Sequence, residues 1–216
     1  LVVLGTTGES VVLSKKEKQD LIKATVSVAD GKVPVVAGFG GNNTYKIAEE
    51  LKAYELTGVD AILSVSPSYN KPTQEGIYEH YKVIATSTDL PIILYNVPSR
   101  TASNIKAATT IQLANEFKNI IAIKEATNDW NQIIELCRNK PDGFGLLSGD
   151  DKLALPSISL GFDGVISVIA NATPKLFSTM IHKGLEGDFI AARKILYKLD
   201  ELIGYIFEQG NPAGVK

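Results

Sequence analysis

Ile120-Ile121-Ala122-Ile123-Lys124-Glu125-Ala126 is the stretch of sequence that decides the fold. A short, β-branched, uncharged run of this kind is typical of a buried strand in a parallel sheet. A lysine near the carboxyl end of such a strand is partly desolvated, which lowers the pKa of its amine and makes the nucleophilic form accessible. The stretch therefore predicts a core strand that ends either in a Schiff-base lysine or in an amine that reaches solvent.

Similar short apolar runs recur along the chain and alternate with amphipathic helical segments. Alternation of this kind predicts a parallel sheet covered by helices, either a doubly wound open sheet or a (β/α)₈ barrel. No GxGxxG or Walker sequence follows a strand, which disfavours nucleotide binding. The predicted strands are Leu1–Leu4, Val33–Ala37, Ala61–Val65, Ile92–Tyr95, Ile120–Lys124, Gly145–Leu147 and Gly164–Val168.

The number of units and the abrupt start of the chain predict an incomplete barrel. We expect an α/β fold, a (β/α)₈ TIM barrel that lacks its first strand–helix unit. Residues 1–186 would form strands 2–8 of this partial barrel, and residues 187–216 would begin a C-terminal helical region that is cut short. Two strand edges would then stay unpaired, so we expect the isolated 216 residues to be unstable or to aggregate.

Composition narrows the class of protein. The chain is 44% hydrophobic and 21% charged, as is ordinary for a globular protein, and its net charge of −2 offers no basic surface for nucleic acid. Cys137 is the only cysteine, which excludes internal disulfides and thiolate zinc sites and fits a reducing cytoplasm. No apolar run approaches the roughly 20 residues that span a bilayer. We expect a cytoplasmic protein with no membrane partner.

Polar residues follow the predicted strands at the edge where barrel enzymes carry their active sites. Tyr95 and Lys124 end consecutive strands, which lie about 4.8 Å apart in a parallel sheet, so the phenol and the amine can face one cavity. Such a phenol can move protons, and Arg100 offers a two-pronged donor for a carboxylate. Taken alone, Tyr95 is equally compatible with a core aromatic residue, and the pattern around Arg100 slightly favours a solvated loop arginine.

Seven segments together carry a resemblance that covers essentially the whole chain. In these segments the sequence resembles the class I pyruvate-dependent aldolases of the dihydrodipicolinate synthase and N-acetylneuraminate lyase type. They are GTTGES at Gly5–Ser10, AGFGGN at Ala37–Asn42, YNKPTQEG at Tyr69–Gly76, YNVPSRT at Tyr95–Thr101, IKEAT at Ile123–Thr127, LLSGDD at Leu146–Asp151 and GVISVIAN at Gly164–Asn171.

The resemblance implies a set of catalytic roles. Lys124 corresponds to the family lysine that forms an imine with pyruvate, and Tyr95 to the proton shuttle. Thr7 would link Tyr95 to Tyr69 in a relay through its hydroxyl. Tyr69 would reach into the site of a neighbouring subunit.

Substrate-binding roles are implied in the same way. Thr6 and Thr7 would hold the pyruvate carboxylate, and Gly149 and Ile166 would line the site through backbone groups. Arg100 would bind the carboxylate of L-aspartate 4-semialdehyde, and this arginine separates the synthases from the neuraminate lyases.

The implied function is a lyase that condenses pyruvate with L-aspartate 4-semialdehyde on the diaminopimelate route to lysine, with no metal or organic cofactor. The implied assembly is a homotetramer built as a dimer of dimers. Two alternatives stay open. One is a sister aldolase that acts on N-acetylneuraminate or a 2-keto-3-deoxy sugar acid, and the other is an inactive truncated barrel.

One family feature is altered in this chain. Regulated members bind L-lysine through histidines, a glutamate and a tyrosine, whose positions match Lys15, Lys18, Lys46 and Ser68 here, with Asn42 retained. Three cations would repel a cationic effector, so we expect weak or absent inhibition by lysine.

Overall fold

Seven parallel strands form one sheet in the computed structural model, which describes residues 1–216. Each strand pairs with its neighbours in chain order, from β1 to β7, and every pairing is parallel. The strands are β1 Val2–Val3, β2 Val36–Gly38, β3 Ala61–Val65, β4 Ile92–Asn96, β5 Ile120–Glu125, β6 Gly145–Ser148 and β7 Gly164–Val165.

Helices connect successive strands and lie on the outside of the curled sheet. Ser14, Asp129 and Asp188 cap the N-termini of three of these helices with their side chains, Ser14 in a capping box, and Pro174 is the first residue of another. The helices are α1 Lys15–Ala29, α2 Thr44–Ala53, α3 Gln74–Ala85, α4 Pro98–Thr101, α5 Ala107–Glu116, α6 Trp130–Asn139, α7 Ala154–Ser159, α8 Pro174–Leu185 and α9 Phe189–Glu208. No helix combines the length and the apolar character needed to cross a membrane.

This arrangement is a TIM barrel with one strand–helix unit missing, because β1 and β7 do not pair with each other. The predicted fold class is therefore confirmed. The division of the chain at residue 186 and the instability of the isolated 216 residues stay predictions.

Side chains alternate between the two faces of the sheet. Outward-facing residues join the helices in a cluster of 36 buried residues that extends from Leu4 to Ile206. A second cluster of 6 buried residues faces the interior and includes Ile93 and Tyr95 of β4 and Ala122 of β5. Because this interior cluster is small, it leaves a cavity among the carboxyl ends of the strands.

Three strands are shorter than the sequence predicts, and the first of them, β1, covers Val2–Val3 instead of Leu1–Leu4. β2 starts at Val36 instead of Val33, because Pro34 has no N–H and the Val35 N–H donates to the Asp60 carboxylate at 2.7 Å. β7 stops at Val165 instead of Val168, because the chain bends away to hydrogen-bond the side chain of Asp151.

Helix α2 ends at Ala53, whereas the sequence pattern extends it towards Gly58. The Tyr54 ring packs edge-on against Phe39, with 5.3 Å between ring centres. The Gln19 Nε2 donates a hydrogen bond to the Glu55 carbonyl, and the Glu55 N–H donates to the Gln19 Oε1, each at 2.9 Å. These long-range contacts compete with the next helical turn and stop the helix.

Candidate active site

Lys124 and Tyr95 lie side by side at the carboxyl ends of β5 and β4. They are direct partners in the register of the two strands, so both side chains point to the barrel interior. The Lys124 Nζ lies 4.2 Å from the centre of the Tyr95 ring. The predicted juxtaposition of amine and phenol is therefore present.

The surroundings of Lys124 favour its neutral form. Its side chain is half-buried and faces the cavity, and desolvation lowers the pKa of the amine to about 8. The positive charge of Arg100 also lowers this pKa, whereas the carboxylate of Asp151 opposes the shift. At pH 7 an amine with this pKa is neutral, and so nucleophilic, in roughly one molecule in ten, compared with about one in 3,000 for an unperturbed lysine.

Gly149 leaves room for the lysine side chain. A Cβ at this position would lie 3.0 Å from the Lys124 Cε and 2.8 Å from the Ala126 Cβ. The Gly149 N–H donates to the Glu125 carbonyl at 2.7 Å, which brings the β6 end against β5. A side chain at residue 149 would therefore displace Lys124 from its position beside Tyr95.

Tyr95 is suited to donate a proton. The residue is buried, and desolvation raises the pKa of the phenol, which keeps it protonated at neutral pH. A hydrogen-bonding interaction with the Thr6 side chain and the positive charge of Arg100 both oppose this rise in pKa. The Thr7 hydroxyl is instead engaged by Asn211, whose Nδ2 donates to the Thr7 Oγ1 at 3.0 Å. The relay role expected for Thr7 stays a prediction.

One cavity of about 1060 Å³ brings the candidate residues together. Its lining includes the predicted Thr6, Thr7, Tyr95, Arg100, Lys124, Gly149 and Ile166. The N–H groups of Gly149 and Ile166 already donate to carbonyls of the sheet, at 2.7 and 2.9 Å, so contacts with a ligand are left to their carbonyl oxygens. Tyr69 is not part of this lining.

Comparison with known proteins gives the family. The model of the Dihydrodipicolinate synthetase family matches residues 1–216, which is the whole chain. This chain belongs to the dihydrodipicolinate synthetase family.

Relatives and solved structures agree with this assignment. A 4-hydroxy-tetrahydrodipicolinate synthase of Parabacteroides distasonis is 50% identical over 100% of this chain and 73% of its own length. The crystal structure of dihydrodipicolinate synthase from Aquifex aeolicus has a TM-score of 0.95 at 44% identity, over 99% of this chain and 73% of that one. A monomeric dihydrodipicolinate synthase variant has a TM-score of 0.95 at 39% identity, over 98% of this chain and 72% of that one. The predicted family is confirmed.

A buried carboxylate that sequence reasoning missed supports the site in this family member. Glu125 follows Lys124 but points to the opposite, outer face of β5, where it accepts hydrogen bonds from Asn96, Gln132 and the Thr127 N–H at 2.8–3.0 Å. Burial raises the pKa of this carboxyl to about 7, while these donors oppose the rise. The network joins the ends of β4 and β5 and so fixes the backbone that carries Tyr95 and Lys124.

Two aspartates that follow β6, Asp150 and Asp151, have separate roles. Asp150 lines the cavity, and its Oδ1 accepts hydrogen bonds from the Lys152 and Leu153 N–H groups at 2.9 and 3.0 Å, much as an N-cap does. Asp151 is buried, and its carboxylate accepts hydrogen bonds from the Val168 and Ile169 N–H groups at 3.0–3.2 Å. Asp151 thereby anchors the loop after β7 and places a negative charge near the Lys124 amine.

Tyr69 projects from the dihydrodipicolinate synthetase barrel into solvent. Its side chain is 85% exposed, and its backbone has a φ of 69° in the left-handed region. The Tyr69 N–H donates to the Thr101 carbonyl at 2.9 Å, which ties this loop to the one carrying Arg100. The side-chain oxygen of Asn42, Oδ1, accepts hydrogen bonds from the N–H and the hydroxyl of Ser68, at 2.8 and 3.2 Å.

Proposed function

We propose that this chain condenses pyruvate with L-aspartate 4-semialdehyde to form 4-hydroxy-tetrahydrodipicolinate. The single observation that carries the proposal is the Lys124 amine 4.2 Å from the Tyr95 ring centre, in one cavity with Arg100. This site supplies an amine for covalent capture, a phenol for proton transfer and a guanidinium for a carboxylate. The Parabacteroides distasonis relative, a 4-hydroxy-tetrahydrodipicolinate synthase, supports the same reaction.

The first half of the reaction activates pyruvate. The neutral Lys124 amine adds to the ketone carbon, the Tyr95 phenol gives a proton to the oxygen, and one water leaves as the imine forms. The protonated imine withdraws electrons, so a methyl proton is lost and an enamine results. Asp151 supplies a negative charge close to this cation.

The second half forms the carbon–carbon bond. The enamine carbon attacks the aldehyde carbon of the semialdehyde, and the aldehyde oxygen takes up a proton. The amino group of the bound semialdehyde then attacks the imine carbon and displaces the Lys124 amine, which closes the ring. The balance is one water released, with no oxidation or reduction.

The positions of Thr6, Thr7 and Tyr69 support a proposal for how protons reach Tyr95 and how the chain assembles. Thr6, which interacts with the Tyr95 phenol, is the better candidate to pass protons to it, and Thr7 is left to bind the pyruvate carboxylate. The exposed Tyr69 is free to reach the site of a second copy. We therefore propose a homo-oligomer, with a dimer of dimers as the expected form.

Arg100 favours the semialdehyde over the sister reactions. Neutral sugar aldehydes, the acceptors of neuraminate and sugar-acid aldolases, do not require a guanidinium at the rim of the cavity. An aldehyde that carries a carboxylate fits this site better, because the guanidinium can bind the carboxylate with two parallel hydrogen bonds.

Borohydride reduction in the presence of pyruvate tests the proposal. We expect a pyruvate adduct on the peptide that contains Lys124, and faster consumption of L-aspartate 4-semialdehyde than of N-acetylmannosamine or glyceraldehyde. A folded wild-type protein that gives no adduct would exclude the imine mechanism. An adduct with preference for a sugar aldehyde would instead identify a sister aldolase.

The pH dependence of imine formation follows from the lowered pKa of Lys124. Its folded value of about 8 lies below the ordinary 10.5, so the amine loses its proton, and becomes nucleophilic, as pH rises through about 8. We expect kcat/KM for pyruvate to fall about tenfold per pH unit below that point. At pH 8 an amine with this pKa is roughly 150-fold more often neutral than an unperturbed lysine. Initial rates of trapped imine between pH 6 and 10 measure the profile, and a rate that still rises about tenfold per unit up to pH 10, as an amine with the ordinary pKa of 10.5 would give, would contradict it.

A further inference from the structure

The chain after helix α9 folds back over the mouth of the cavity and contacts two of its binding residues. The side-chain amide of Asn211 meets the Thr7 hydroxyl, with Nδ2 to Oγ1 at 3.0 Å and Oγ1 to Oδ1 at 3.3 Å. The Arg100 Nη2 donates to the Asn211 backbone carbonyl at 3.1 Å. Asn211 itself lines the cavity. One residue from the end of the barrel therefore contacts Thr7, more than 200 positions earlier, and Arg100.

We propose that Asn211 is a positioning residue that orients the Thr7 hydroxyl for the carboxylate of the keto acid and steadies Arg100 for the carboxylate of the acceptor. The proposal rests on the proposed function, since it concerns how the same two substrates are held. The side chain of Asn211 acts on Thr7, and its backbone acts on Arg100, so the two effects can be separated.

The Thr7 hydroxyl has one proton, and Asn211 decides where it points. If Asn211 donates through Nδ2, it fills an oxygen lone pair and leaves the Thr7 proton free to be donated into the cavity. The longer contact, with Thr7 donating to Oδ1, would consume that proton. A bound carboxylate selects the first arrangement, because a hydrogen bond to a charged acceptor is the stronger one.

The Arg100 contact limits the freedom of an otherwise exposed side chain. One of the five guanidinium N–H groups is used on the Asn211 carbonyl, and the others stay free for a carboxylate. An unrestrained arginine loses substantial rotamer entropy when it binds a ligand, and a prior contact removes part of that loss. Because the contact uses the backbone, it persists whichever side chain occupies residue 211.

The simpler explanation is that Asn211 only ties down the C-terminal segment. A second tether of the same segment allows this explanation to be tested, because Lys216 forms an ion pair with Glu9. Glu9 lies in the same loop as Thr7, but this pair does not involve the Thr7 hydroxyl. Lys216→Ala is therefore a matched control that loosens the segment and leaves the Asn211–Thr7 contact in place.

Steady-state kinetics on the full-length enzyme, with each substrate varied separately, test the proposal. We expect Asn211→Ala to raise KM for pyruvate about five- to tenfold, the usual effect of losing one neutral hydrogen bond, and to change KM for the semialdehyde less than about twofold. In a Thr7→Val background the same substitution should add less than about twofold, because its target is gone. Lys216→Ala should leave both KM values within about twofold of wild type.

Asn211→Asp keeps the shape of the side chain and supplies the test if the alanine variant does not fold. Its carboxylate accepts the Thr7 proton and repels the substrate anion, so KM for pyruvate should rise more than about tenfold. Equal effects of Asn211→Ala and Lys216→Ala, or full additivity with Thr7→Val, would overturn the positioning role. Borohydride trapping on the wild type separates the outcomes. No pyruvate adduct refutes the proposed function, whereas an adduct with unchanged KM values in the Asn211 variants refutes only this inference.

Discussion

Lys124→Met is expected to abolish condensation, with kcat reduced by at least about 10⁴-fold. Methionine has a similar length and volume, and it fits the half-buried, partly apolar position without an amine. No other group in the cavity can replace the covalent bond to pyruvate, since Arg100, the other cationic side chain of its lining, does not form an imine. The measurement is steady-state turnover, together with borohydride trapping of pyruvate followed by peptide mass analysis.

Lys118→Met is the matched control for this experiment. Lys118 is exposed and lies just before the same strand, β5, so its loss removes a lysine and leaves the cavity intact. We expect wild-type activity and a normal pyruvate adduct from this control. Substantial condensation by a folded Lys124→Met protein would show that the imine mechanism is wrong for this chain.

Arg100→Ala is expected to reduce kcat/KM for L-aspartate 4-semialdehyde by about 100-fold. A forked, charge-assisted contact contributes about 2–3 kcal/mol, which corresponds to a loss of this size. Imine formation with pyruvate should change much less. The positive charge of Arg100 lowers the pKa of Lys124, so its removal raises that pKa somewhat and slows capture modestly at neutral pH. The rate of borohydride trapping measures imine formation with pyruvate, and a separate steady-state assay measures kcat/KM for the semialdehyde.

Two further variants serve as controls for the Arg100→Ala experiment. Arg138→Ala removes an arginine from the last turn of α6, outside the cavity lining, and should behave as wild type. Arg100→Lys keeps the positive charge but lacks the planar pair of donors. We therefore expect its kcat/KM for the semialdehyde to lie between those of Arg100→Ala and wild type. If Arg100→Ala leaves semialdehyde turnover unchanged, the substrate assignment fails, and a neutral aldehyde becomes the better candidate.

The pairing of Tyr95 with Lys124 could be predicted from the sequence because it depends on local rules. Each residue ends a short apolar run, and consecutive strands in a parallel sheet bring their carboxyl ends to one edge. The period of two along a strand places both side chains on the same face, and the register confirms this. The Ser14 capping box and the Asp188 N-cap were predictable for the same reason, since their partners lie within a few residues.

The contacts that refine the site could not be predicted in this way. Asn211 meets Thr7 from the far end of the chain, and no periodicity encodes the path that brings it there. The proximity of Thr6 rather than Thr7 to the Tyr95 phenol depends on a short 3₁₀ turn at Thr6–Gly8, whose geometry a six-residue motif leaves open. The carboxylate of Asp151 accepts a hydrogen bond from the Val168 N–H in the loop after β7, and no local pattern in the sequence indicates this contact.

The sequence by itself determined the alternating elements, the parallel sheet, the inward direction of the lysine and the family. Those features follow from short-range periodicity and from motifs whose residues lie close together along the chain. Only the tertiary structure decided which hydroxyl faces the phenol, how far the amine is desolvated and which asparagine covers the cavity. The physical reason is that burial and long-range hydrogen bonds depend on where distant segments meet, and that is settled only when the whole barrel packs.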